Sequence, residues 1–73
     1  MLKYAVVIER ASHNYAAYVP DLPGCITTGA TREEVEHNIR EAISFHLEGI
    51  REDGLPIPEP QTTTIEIEVE AVA

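Results

Sequence analysis

The sequence predicts an α+β fold of order βββαβ. A three-stranded antiparallel meander is crossed by one helix, and a final strand returns parallel to the first. Three observations carry this. Apolar and aromatic runs at 2–9 and 15–19 flank a polar turn, a capping signal at Thr31 precedes a long apolar stripe of helical spacing, and residues 63–70 alternate strictly between apolar residues and glutamate.

The first run, LKYAVVIE, is apolar on both faces, with Tyr4, Val6 and Ile8 on one side and Ala5 and Val7 on the other. That pattern suits a central strand. RASHN supplies a turn, and YAAYV a second strand that pairs with the first as a hairpin. Tyr15 and Tyr18 fall on opposite faces of that strand. After the loop, CITT at 25–28 reads as a short third strand that ends at Gly29.

Thr31 and Glu34 form a capping box. Glu33, Glu34 and Glu36 place negative charge at the positive end of the helix dipole. Val35, Ile39, Ala42, Ile43, Leu47 and Ile50 define the buried stripe. Arg40 is placed to pair with Glu36, and Arg51 with Glu48. Gly54 stands where a left-handed cap belongs, so the helix runs from about 32 to 53. LPIPEP is then extended and stiff, because each proline fixes its own φ and excludes helix from the residue before it. In 63–70, Ile65, Ile67 and Val69 face the core while Glu66, Glu68 and Glu70 face water. A right-handed crossover makes the strand order 3-2-1-4 with the first strand central. The expected core is Tyr4, Val6, Ile8, Ile26, Val35, Ile39, Ile43, Leu47, Ile65 and Ile67.

The 73 residues read as a single domain spanning 1–73, without a separate DNA-binding domain. A core this small gains from self-association. Cys25 is the sole cysteine, so no internal disulfide forms. The net charge of −8 argues against direct binding to nucleic acid, because a binder needs clustered cations and the five Lys and Arg are scattered along the chain. It favours a basic partner. No signal peptide and no membrane span is legible, which makes the cytoplasm the expected compartment.

The stretch YVPDLPGC at 18–25 packs two prolines, a glycine and one aspartate between strands. Asp21 is read first as the acceptor of an Asx turn. A metal-dependent nuclease needs several converging carboxylates, and Asp21, Glu9 and Glu41 have no spacing that announces one. His46 lies in the apolar stripe and reads as structural; His13 and His37 read as solvated. The three histidines make no metal-ligand pattern. Cys25 reads as a small buried hydrophobe, since an acidic chain lacks the electropositive setting of a reactive thiolate. No metal and no cofactor is expected.

The combination of YAVVIE at 4–9, YVPDLPGC, the Gly29-Ala30-Thr31 helix start, Ala42-Ile43 with His46-Leu47, and GLPIP at 54–58 resembles the N-terminal domain of HicB-family antitoxins. The resemblance covers about residues 2–60. It implies a partial ribonuclease-H-like fold without a working active site. It also implies a partner: HicA-like toxins, small basic ribonucleases that cleave mRNA. An acidic inhibitor competes with RNA for such a toxin's positive surface. Many family members add a C-terminal DNA-binding domain, and no basic segment here reads DNA. The expected toxin-binding site is Asp21, Leu22, Pro23 and Gly24, a stiff loop with an apolar knob. The competing readings are a reduced nuclease that uses Asp21 with Mg²⁺, and an interaction domain without a toxin. A homo-oligomer is expected as well, because the third strand leaves an exposed edge.

Overall fold

The helix forms where the capping signal places it. The structure, a computed structural model, describes residues 1–72. Helix α1 spans Arg32–Glu52. Thr31 is extended, and its hydroxyl accepts the Glu34 amide at 3.1 Å. Glu34 Oε1 accepts the N–H of Ala30 at 3.1 Å, one residue earlier than an ordinary capping box. At the far end Gly54 has φ +71°, and the amides of Gly54 and Leu55 donate to the carbonyls of Arg51 and Ile50. This is a Schellman cap. Glu36 pairs with Arg32 at 3.8 Å rather than with Arg40, on the solvated face.

Three strands follow the predicted hairpins: β1 (Val7–Arg10), β2 (Tyr15–Tyr18) and β3 (Ile26–Gly29). They form one antiparallel sheet in the order β1-β2-β3. Ile8 lies opposite Ala17, and Tyr18 opposite Ile26. Helix α1 covers the face that carries Ile8, Ala17 and Thr27. Gly29 is required there, because a Cβ on it would stand 2.6 Å from the Val35 nitrogen. The Asn38 amide adds a tie to the Thr28 carbonyl at 2.9 Å.

Two expectations change. Among the described residues the strand expected at 63–70 joins no ladder, so β1 lies at the edge of the sheet and not at its centre. That also explains why β1 starts at Val7. Beyond Tyr18, β2 turns into the loop, and residues 2–6 have no strand on either side to pair with. The core differs accordingly. It consists of Ala17, Val19, Leu22, Cys25, Val35 and Ile39, with Tyr4, Val6, Ile8, Ile43 and Leu47 packed partly against it. Ile65 and Ile67 are 75% and 72% exposed instead of buried. Ile26 faces outward at 64% exposure, because its pairing with Tyr18 puts both on the uncovered sheet face. Side chains alternate with period two, so one step of register exchanges the faces.

Candidate protein-docking site

The loop after β2 is two consecutive turns, each opened by a proline. The Leu22 amide donates to the Val19 carbonyl at 3.0 Å across Pro20 and Asp21. The Cys25 amide donates to the Leu22 carbonyl at 3.0 Å across Pro23 and Gly24. Proline presets φ at the second position of a turn, and Gly24 supplies the positive φ, +84°, that the third position of a type II turn requires. The Val19 amide donates to the Cys25 carbonyl at 3.1 Å and closes the base. Three backbone hydrogen bonds thus hold this corner from within.

The two turns give the loop an inside and an outside. Leu22 points inward and is completely buried, among the largest fully buried side chains of the chain. The apolar knob expected from Leu22 is thus a core plug. Cys25 is buried beside it, and burial pushes its thiol pKa up, as the reading of a small hydrophobe requires. The outside presents Pro20, Pro23 and Gly24. These border Tyr18 and Ile26 around a shallow groove of about 370 Å³. Leu22 and Cys25 form its floor.

Asp21 lies at the edge of this surface and acts at long range. Its Oδ2 accepts the amides of Gln61 and Thr62, both at 2.9 Å, and its Oδ1 accepts the Thr62 hydroxyl at 2.9 Å. The expected local Asx turn is replaced by a clamp on the chain some forty residues later. The Thr62 and Gln61 amides hold the carboxyl below its ordinary range, against a smaller opposing effect of desolvation. Next to it, the Tyr4 hydroxyl donates to the Pro58 carbonyl. Burial raises the Tyr4 pKa, and the Glu59 and Asp21 carboxylates raise it further.

The other singled-out residues are not brought to the loop. Glu9 is exposed on β1. Glu41 pairs with His37 at 3.3 Å along the outer face of α1. His13 is exposed and His46 half-buried. Among the described residues, no group of three His, Cys, Asp or Glu side chains is placed to hold a metal. Sequence reasoning missed Tyr18 and Ile26 as an exposed cross-strand pair. Gly29 held the signal: a glycine demanded by the helix puts positions 27 and 29 inward, and therefore 26 and 28 outward.

The proline loop and the uncovered sheet face put Pro20, Pro23, Tyr18 and Ile26 on one exposed surface of an acidic α+β domain. The chain belongs to the HicB-like antitoxin family of bacterial toxin-antitoxin systems, whose model matches residues 4–71. A chain of the solved HicA3 and HicB3 toxin-antitoxin complex is 30% identical, with a TM-score of 0.70 over 82% of this chain and 70% of that one. A 14.9 kDa protein of Haemophilus phage HP1 is 46% identical over 55 residues, which is 75% of this chain but 41% of the phage protein. This chain therefore spans less than half the length of that relative. A UPF0150 protein of Thermoplasma acidophilum is 36% identical over 67 residues, 90% of this chain and 97% of that protein. No helix among the described residues is long and apolar enough to cross a membrane.

Proposed function

We propose that this chain neutralises a small, basic, HicA-like mRNA-cleaving toxin by binding it, without catalysis of its own. The observation that carries this reading is the fold match to a chain of a toxin-antitoxin complex at 30% identity. Charge supports it. A chain of net charge −8 competes with RNA for a cationic surface and is steered toward it. The docking surface is the outer side of the loop, Asp21, Pro23 and Gly24, extended by Tyr18 and Ile26, with Leu22 holding it from beneath. The turns are already closed, so binding orders little additional chain. Both Asp21 oxygens are engaged by Gln61 and Thr62, which counts against the nuclease reading. A strand at 63–70 beside β1 restores the order 3-2-1-4, a partial ribonuclease-H-like sheet, in a cytoplasmic homo-oligomer.

The test is RNA cleavage by a purified HicA-like toxin at rising ratios of this chain. Stoichiometric suppression is expected. Tyr18→Ala combined with Ile26→Lys should require about tenfold more chain, a loss of about 1.4 kcal/mol in binding. Undiminished cleavage at excess wild-type chain would overturn the reading, and full potency of the folded double variant would move the site elsewhere.

A further inference from the structure

The segment after the Asp21 clamp is an arm that does not rest on its own domain. Ile65, Ile67 and Val69 are each at least 72% exposed, although they alternate with glutamate as a half-buried strand does. The chain is too long for a closed domain of its size. Its radius of gyration is 14.6 Å, against roughly 11 Å for a compact 73-residue chain. Its longest dimension is 53 Å, whereas a 21-residue helix accounts for only about 31 Å.

The place such a strand would fill is open on the same molecule. The free edge of β1 and its N-terminal extension form a groove with α1 of about 360 Å³, lined by Leu2, Tyr4, Val6, Ile8, Ile39 and Ile43. An unpaired apolar edge of this kind is a template for another strand. The arm's pattern matches the slot: Ile65, Ile67 and Val69 recur at the same two-residue spacing as Tyr4, Val6 and Ile8 along the edge. The clamp fixes the arm's exit at Gln61 and Thr62, prolines at 56, 58 and 60 stiffen its approach, and beyond the clamp the arm stays clear of its own groove.

We propose that two copies of this chain exchange arms, so that residues 63–70 of each form the fourth strand on the other copy's β1 edge. Ile65, Ile67 and Val69 fill the groove, and Glu66, Glu68 and Glu70 point to the opposite, solvent-facing side of the sheet. Exchange about a two-fold axis satisfies both edges with one self-complementary contact. The proposal rests on 63–70 being a strand-forming segment and stands apart from toxin binding, so the toxin assay can fail without touching it.

The test uses the full chain. Sedimentation at micromolar concentration should give a dimer. Ile67→Asp, at a position exposed in the single chain, should weaken that dimer about tenfold or more while the helical circular dichroism persists. The deciding measurement is an isotope-filtered NOE spectrum on wild-type protein refolded from a mixture of labelled and unlabelled chains. Contacts between the methyls of Ile65 or Ile67 in one chain and Val6 or Ile8 in the other support exchange. A monomer, a dimer whose arm contacts lie only within one chain, or a dimer joined elsewhere with free arms would each overturn it.

Discussion

Leu22→Ala isolates the claim that the proline loop is part of the core. Leu22 is completely buried although it belongs to a connecting segment. Truncation removes three carbons, worth about 2.4 kcal/mol at about 0.8 per carbon. The void adds to this, because backbone hydrogen bonds on both sides hold the two turns and limit collapse. The total should be about 3 kcal/mol, within the usual range for buried Leu→Ala. A 73-residue domain has roughly 4–11 kcal/mol in all. The loss should therefore lower Tm by roughly 12–24 °C. The assay is urea unfolding followed by far-UV circular dichroism, at one fixed protein concentration, since self-association makes the midpoint concentration-dependent. Pro23→Ala is the comparison: its side chain is exposed, and losing a preset turn should cost only about 0.4–1 kcal/mol. A Leu22→Ala loss below about 1 kcal/mol, or one no larger than that of Pro23→Ala, would refute the core-plug reasoning.

Two further outcomes follow from single contacts. Gly29→Ala would set a Cβ 2.6 Å from the nitrogen and 2.8 Å from the Cα of Val35. Backbone atoms yield little, so unfolding should show a loss of about 1–3 kcal/mol, whereas Gly49→Ala, with open space around it inside α1, should gain about 0.5–1 kcal/mol. The Asp21 carboxyl titrates lower when folded than unfolded, so between those two values the unfolded chain binds more protons. Its contribution is complete above about pH 4 and disappears as pH falls through the folded value. Acid titration by NMR should show the Gln61 and Thr62 amides shifting together in that range, and Asp21→Asn should remove the shift. Amides that move only with global unfolding would show that the clamp does not hold the arm.

The sequence by itself determined the local elements. The Thr31–Glu34 signal, the apolar stripe from Val35 to Ile50 and Gly54 placed α1 to within a residue, because caps and periodicity act over one or two turns of chain. Both hairpins were legible for the same reason, as were the burial of Cys25 and the family resemblance carried by YVPDLPGC. Faces and partners over long separations were not. Whether Leu22 points in or out depends on two turns closing back on Val19. Ile26 faces outward because of its register against Tyr18, and Asp21 finds its partners about forty residues away. The alternation at 63–70 stated that a strand could form, but a period-two pattern says nothing about which sheet edge receives it. Only the tertiary structure showed that arm standing clear of its own groove, because edge pairing is decided by where the chain is tethered and not by the residues that pair.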